Sequence, residues 1–153
     1  EHKIDPDHFL DHAHQIDISD VPQCETVKEY LARLPGKKVI FTNSSRAFAQ
    51  RMSKHLGIDH HFDGLFSIED ASYLPKPMPG PDDTVVKKFA FDPKKAAMFE
   101  HMAVNLKPAA ALGMTTVWIH GDEDAEHAHV HHKTDTLAAW LKKTIPQHPT
   151  KAK

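Results

Sequence analysis

Three places in the 153-residue sequence put chemically capable side chains where strand ends and loops would present them. Thr42-Asn43-Ser44 follows the apolar run Val39-Ile40-Phe41, Lys76 stands between Pro75 and Pro77, and Glu100-His101 follows Ala96 to Phe99. A hydroxyl beside turn amides, a lysine ammonium and a strand-end carboxylate are the parts needed to hold a phosphoryl group next to a cation. Each also has a plainer reading. Thr42 can simply cap the following helix, Lys76 can be a solvated loop charge, and Glu100 can be a first-turn acid facing a helix dipole. What separates the two readings is whether the intervening elements bring the three together.

The pattern of apolar residues supplies those elements. Asp5-Pro6 is a cap and first-turn signal for a short helix over about Pro6 to His14. Cys24, Val27, Tyr30, Leu31 and Leu34 recur at helical spacing up to Pro35-Gly36, which predicts a second helix with Cys24 on its apolar stripe. Lys37 to Thr42 reads as a short buried strand. A helix with Phe48, Met52 and Leu56 on one face then runs to Gly57. Leu65 to Ile68 predicts another strand, and Leu74 to Pro77 an extended loop. Pro81 opens a helix carrying Val85, Val86 and Phe89, and the turn at Asp92-Pro93 leads into a strand over Ala96 to Glu100. A helix over about Ala103 to Leu112, a β-branched strand over Thr115 to His120, a weak strand near Val130 to Thr134 and a helix marked by Leu137, Ala138 and Leu141 complete the chain. Strands alternating with helices imply a parallel sheet covered on both faces, an α/β domain in three layers. Its chemistry is expected at the carboxyl ends of the strands.

In order, the segments Val39-Ile40-Phe41-Thr42-Asn43-Ser44, Tyr73-Leu74-Pro75-Lys76-Pro77, and Met98-Phe99-Glu100-His101 with Asn105-Leu106-Lys107-Pro108-Ala109 and Leu112-Gly113-Met114-Thr115-Thr116-Val117 resemble the second, third and fourth motifs of the haloacid dehalogenase superfamily. The resemblance runs from about Ile4 to Leu141 and is nearest to the pyrimidine 5'-nucleotidase-like branch. It implies a Rossmann-like core and hydrolysis of a small phosphomonoester, such as a nucleoside 5'-monophosphate, through an aspartyl phosphate, with Mg2+ shielding the charge. Carried over, Thr42, the Asn43 amide and Ser44 would hold phosphoryl oxygens, and Lys76 would hold nucleophile and phosphate together. Glu100 and His101 would face the metal, and Asn105 would orient its shell.

Two departures qualify what the resemblance implies. No Asp-x-Asp-x-Thr segment lies on a strand: Asp5-Pro6-Asp7 has the spacing but opens a helix and is followed by His8-Phe9. The expectation is therefore that the nucleophile lies upstream of Glu1, and that the first central strand, which belongs between the strands ending at Thr42 and Glu100, is missing. On this reading residues 1–20 are the trailing part of a helical cap, 21–145 the core and 146–153 a flexible tail, and a partner segment or second copy could complete the sheet. The second departure is His101, where the family usually carries an aspartate; imidazole suits zinc, nickel or manganese better than Mg2+, so Mg2+ binding is expected to be weakened. Two alternatives stay open: a catalytically degenerate protein of the same fold acting by binding or assembly, and a haloacid dehalogenase-type hydrolase.

Composition excludes other classes. Nineteen basic residues against 21 acidic ones, with clustering only at Lys142-Lys143 and the Lys151 to Lys153 tail, argue against a nucleic-acid binder. No apolar run reaches the ~18 residues of a membrane span, and a single cysteine, Cys24, excludes an internal disulfide framework; a cytoplasmic protein is expected. The 14 histidines make net charge strongly dependent on pH near their ordinary pKa of ~6.5. His127, His129, His131 and His132 read as a surface loop running into an edge strand, and the histidines other than His101 as solvated.

Overall fold

The computed structural model describes residues 16–121 and 125–146. The helix expected over Pro6 to His14, the Asp5-Pro6-Asp7 segment and most of the tail lie outside the described residues. Helix α1 (Glu25–Arg33) carries an acid in its first turn and a base in its last, matching its dipole, and buries Tyr30 and Leu31. It packs on α5 (Leu137–Thr144), whose Leu141 is buried and whose Thr136 cap accepts from Ala139 N–H. Cys24 is a correction: it stands at the cap position ahead of α1, in extended backbone, and is exposed. The helix begins one residue too late to turn it onto the buried face.

Among the described residues all strand pairs are parallel. β1 (Val39–Phe41) pairs with β2 (Gly64–Phe66) through Ile40 opposite Leu65. β3 (Ala97–Glu100), β4 (Thr115–Ile119) and β5 (His132–Thr134) form a second sheet, Phe99 facing Val117 and Trp118 facing Lys133. Among the described residues the two sheets are separate. The division falls between β1 and β3, where sequence analysis leaves out the central strand.

The edges at this division can be read from the ladder. Asp63 N–H donates to Lys38 O and Thr42 N–H to Phe66 O, so the peptide groups of Lys38, Ile40 and Thr42 face β2 and those of Val39 and Phe41 face the opposite edge. Likewise Thr115 N–H donates to Ala96 O, which turns Ala97 and Phe99 away from β4. The strands are shorter than expected. Ser67 and Ile68 remain buried but leave β2, Ser67 for Asp70 Oδ2 and Ile68 for Ser44 O.

Two helices connect these sheets to the site. α2 (Arg46–His55) is capped by Ser45, whose hydroxyl accepts from Phe48 N–H at 3.3 Å; its most buried residues are Ala49 and Ser53, with Phe48, Met52 and Leu56 half-buried beside them. α3 (Pro81–Phe89) starts at Pro81 and ends at Phe89, whose ring lies so close to Gly64 that a Cβ there would sit 2.2 Å from it. The single helix expected over Ala103 to Leu112 is instead a 3-10 turn (Ala103–Leu106) followed by α4 (Lys107–Ala111). Pro108 has no N–H to give to Val104 O, so the α-helical ladder cannot run through that point.

Trp118, Phe66, Leu106, Leu141 and Val117 are almost wholly buried, each contributing about 1.5–3 kcal/mol of apolar burial. The histidine-rich stretch serves this core rather than only the surface. His127 packs edge-on against Trp118 with ring centroids 5.1 Å apart, His129 Nε2 donates to Ala103 O at 2.7 Å, and His131 Nδ1 accepts from Thr116 N–H at 3.0 Å. His55 Nε2 donates to Val21 O at 2.9 Å. His55, His127 and His129 are half-buried, which corrects the expectation of solvated histidines at those positions, whereas His131 stays exposed while its ring bonds to Thr116. Because His131 is engaged with Thr116, β5 starts at His132. Among the described residues no helix is long and apolar enough to cross a membrane.

Candidate functional site

β1 delivers its carboxyl end to a turn that the sequence builds from small hydroxyl and amide side chains. Thr42 is not the cap of α2; Ser45 is. Thr42 Oγ1 instead accepts from Ser44 N–H at 3.0 Å inside the turn, which leaves the Thr42 hydroxyl hydrogen for an external acceptor. The same bond engages the Ser44 amide, so what Ser44 can offer a ligand is its hydroxyl. Asn43 does something the sequence did not reveal: its side chain clamps the Lys76 peptide, Nδ2 donating to Lys76 O at 3.0 Å and Oδ1 accepting from Lys76 N–H at 2.8 Å. The loop that carries Lys76 has left-handed backbone at Ser72 and Tyr73 and a cis Lys76–Pro77 bond.

Lys76 is 7% exposed, which overturns the plain reading of a solvated loop charge. Its ammonium donates to Phe41 O at 2.9 Å and to Glu100 Oε2 at 2.7 Å, and lies 4.5 Å from the Phe41 ring centre. Phe41 O is one of the carbonyls pointing away from β2. Lys76 therefore joins the carboxyl ends of the two sheets, and it retains one of its three N–H donors for a ligand. Glu100, 8% exposed, ends β3. Its Oε1 accepts from His101 N–H at 2.9 Å and Met102 N–H at 3.2 Å. Burial pushes the Glu100 carboxyl up, but Lys76 and these two amides outweigh it and hold the group below the ordinary carboxylate range.

His101 and Asn105 lie beyond this pair. The His101 side chain is 79% exposed with Nδ1 3.0 Å from Glu100 Oε1, and its carbonyl accepts from the indole N–H of buried Trp118 at 2.8 Å. Asn105 is buried in the 3-10 turn, with its amide on Met102 O. The structure thus unites Asn43, Lys76, Glu100 and His101, whereas Asn105 is placed in the adjoining turn. As a set of their own these residues do not fit Mg2+, which wants about six oxygens in octahedral array. They offer one carboxylate already engaged on both oxygens and one imidazole nitrogen, and no group of three His, Cys, Asp or Glu side chains converges among the described residues.

Sequence reasoning missed two features. Asp82, the second residue of α3, is 1% exposed and neither carboxylate oxygen has a hydrogen-bond partner. Burial pushes its carboxyl up to about 6, Lys76 pulling the other way and Asp83 and Glu100 adding to the rise. An acid after Pro81 reads as an ordinary first-turn residue, yet Asp82 shares a face with Val85, Val86 and Phe89, and that register was the available signal. The second feature is a polar brace behind the turn. Asp70 Oδ2 accepts from Ser67 N–H at 2.9 Å and pairs with Arg46, its Oδ1 lies 2.5 Å from Lys88 Nζ, and the Glu69 carboxylate accepts from Arg46 N–H at 2.9 Å. Burial raises the Asp70 carboxyl, but Lys88, Ser67 and Arg46 together draw it down to about 2. The brace ties the end of β2 to the start of α2 and the last turn of α3.

Residues 2–113 match the family described as haloacid dehalogenase-like hydrolase. Among curated proteins, fructose-1-phosphate phosphatase YqaB of Escherichia coli (strain K12) is 26% identical over 100 residues, covering 65% of this chain and 52% of that protein. The chain thus spans about half the length of the curated relative it matches. Among solved structures, the HAD phosphatase from Thermococcus onnurineus superposes with a TM-score of 0.65 at 21% identity, covering 92% of this chain and 64% of that one. The L-2-haloacid dehalogenase from Xanthobacter autotrophicus with chloropropionic acid covalently bound gives 0.59 at 21% identity, covering 65% and 41%. At these identities the structural likeness establishes the fold. With a family match running through both the Thr42 turn and the Lys76–Glu100 pair, the chain belongs to the haloacid dehalogenase-like hydrolases.

Proposed function

We propose that the Thr42 turn and Lys76 form the phosphoryl-holding part of a phosphomonoesterase. The observation that carries this reading is the buried Lys76 ammonium, fixed by the Asn43 clamp, by Phe41 O and by Glu100, with a third N–H left over. A phosphoryl oxygen would accept from that N–H, and another from the Thr42 hydroxyl and the Asn43 backbone N–H. Donors held in place before the reaction stabilise the charge that builds on those oxygens. The reaction is attack of an aspartate oxygen on phosphorus with expulsion of the alkoxide, which takes up a proton, followed by hydrolysis of the acyl phosphate. That nucleophile lies outside the described residues, and Lys76 acts by offsetting the negative charge shared between it and the phosphate.

For the substrate, the reading favours a nucleoside 5'-monophosphate. Leu74, Met78 and Met102 are exposed and stand within two residues of Lys76 or Glu100, offering apolar surface to the flat face of a base. A sugar phosphate is the second candidate, because the curated relative is named as a fructose-1-phosphate phosphatase. The test is turnover by the intact protein of p-nitrophenyl phosphate, UMP, CMP and fructose 1-phosphate, with and without Lys76→Ala. A loss of about 10²–10³-fold in kcat is expected for that variant, with UMP and CMP preferred. Unchanged turnover would overturn the site, and preference for the sugar phosphate would overturn the substrate. Phosphate binding without turnover would favour the degenerate binding protein instead.

A further inference from the structure

The strand-end carboxylate that the family resemblance turns toward Mg2+ is already in use. Glu100 Oε1 accepts from His101 N–H at 2.9 Å and from Met102 N–H at 3.2 Å, which takes up both lone pairs of that oxygen. Oε2 accepts from the Lys76 ammonium at 2.7 Å. A divalent cation on Glu100 would have to use the remaining lone pair of Oε2. At an Mg–O distance of ~2.1 Å it would stand within about 5 Å of that ammonium, and two cations at such range repel strongly where burial excludes water. The neighbours bring little relief. His101 offers imidazole nitrogen, its Nδ1 lying 3.0 Å from the same Oε1, and its carbonyl is engaged by the Trp118 indole N–H at 2.8 Å. Met102 O is engaged by the Asn105 N–H at 2.9 Å.

Nor is the ammonium free to step aside for a metal. Phe41 O accepts from it at 2.9 Å, the Phe41 ring centre lies 4.5 Å away, and the Asn43 side chain holds the Lys76 peptide through both its N–H and its C=O. We infer that the Lys76–Glu100 centre holds an anionic oxygen without a divalent cation. The Lys76 ammonium supplies the positive charge, and Glu100 serves as its counter-ion rather than as a metal ligand. Two backbone N–H groups share the Glu100 charge, so the pair does not cancel the pull of the third ammonium hydrogen on an oxyanion. The inference rests on the reading of Lys76 as the phosphoryl-holding lysine. It departs from what the resemblance implies, because it assigns to one fixed side chain the charge that a bound metal would otherwise bring.

Two titrations of the intact protein at fixed pH and ionic strength test this. In assigned proton–nitrogen NMR spectra the His101 and Met102 amide signals report any cation on Glu100, since both N–H groups donate to its Oε1. Millimolar Mg2+ is expected to leave both signals in place, and a saturable shift of the two overturns the inference. Calorimetry then measures the affinity for inorganic phosphate in EDTA and in millimolar Mg2+. Wild-type affinity is expected to be the same in both, and a gain on the order of tenfold with Mg2+ overturns the inference. Lys76→Met separates this inference from the reading beneath it. K76M is expected to lose phosphate in both solutions and to bind Mg2+ on the order of tenfold more tightly than wild type, because Oε2 is released and the competing ammonium is gone. If K76M keeps its phosphate affinity, the Lys76 reading fails first; if it loses phosphate and gains no Mg2+, that reading stands and exclusion of the cation by Lys76 is refuted. Should K76M not fold, the wild-type spectra decide by themselves.

Discussion

Replacing Asp82 by Asn should stabilise the protein, and by an amount that depends on pH in a defined way. The carboxyl titrates near 3.8 when solvated and at about 6 in the fold. At ~1.4 kcal/mol per unit, that difference amounts to about 3 kcal/mol. The sign follows from proton counting. Below about pH 3.8 both the folded and the unfolded chain hold the proton, and Asp82 brings no electrostatic penalty. Between that value and about 6 the unfolded chain ionises first, so stability falls as pH rises; above about 6 the full penalty applies and no longer changes. Asn fills nearly the same volume, leaves the same partners missing and carries no charge. The stability of D82N relative to wild type is thus expected to rise from near zero at pH 4 to about 3 kcal/mol at pH 7.5, against a typical total of 5–15 kcal/mol. Urea denaturation across that range measures it, and thermal melts at neutral pH should show a gain of about 6–12 °C for a chain of this length. A difference that stays constant with pH, or a D82N protein less stable than wild type at neutral pH, would refute the claim that a carboxylate is buried there without a partner.

The other predictions concern the groups around it. Lys76→Met removes one member of a buried pair and should cost about 3–5 kcal/mol, because Glu100 is left charged and 8% exposed; adding Glu100→Gln should restore much of this, and a double-mutant cycle in denaturation experiments reads the coupling. Asp70→Asn should cost about 2 kcal/mol at neutral pH, since Asp70 is drawn from 3.8 to about 2. Its folded pKa is the lower one, so that contribution is present above pH 4 and fades as pH falls through 2. His101→Asp, which gives Glu100 an oxygen neighbour in place of a nitrogen, should raise Mg2+ affinity on the order of tenfold by calorimetry; no gain would show that the position does not ligate.

The strands and helices were legible because their signals are local. Val39-Ile40-Phe41, the Pro81 start and the Pro35-Gly36 stop act within a few residues, and the order of the segments at Thr42, Lys76 and Glu100 carried the family. What stayed hidden depends on distance in sequence. Asn43 clamps a peptide 33 residues away, and Asp70 bridges Arg46 and Lys88, 24 and 18 residues distant; no periodicity encodes such partners. Composition misled where burial decides. A lysine between prolines is exposed in most chains, but here the carboxyl ends of β1 and β3 present Phe41 O and Glu100 Oε2 close enough for one ammonium to satisfy both. The histidines misled for a related reason. An imidazole can donate to a carbonyl, accept from an amide and pack against an indole, so Ala103 O and Trp118 hold His129 and His127 half-buried and Thr116 N–H engages the exposed His131, in a segment whose composition reads as solvent-facing. Asp82 joins both lessons: its type marks it as surface, its register on α3 beside Val85, Val86 and Phe89 marks it as core, and burial without a hydrogen-bond partner is what holds its carboxyl up to about 6.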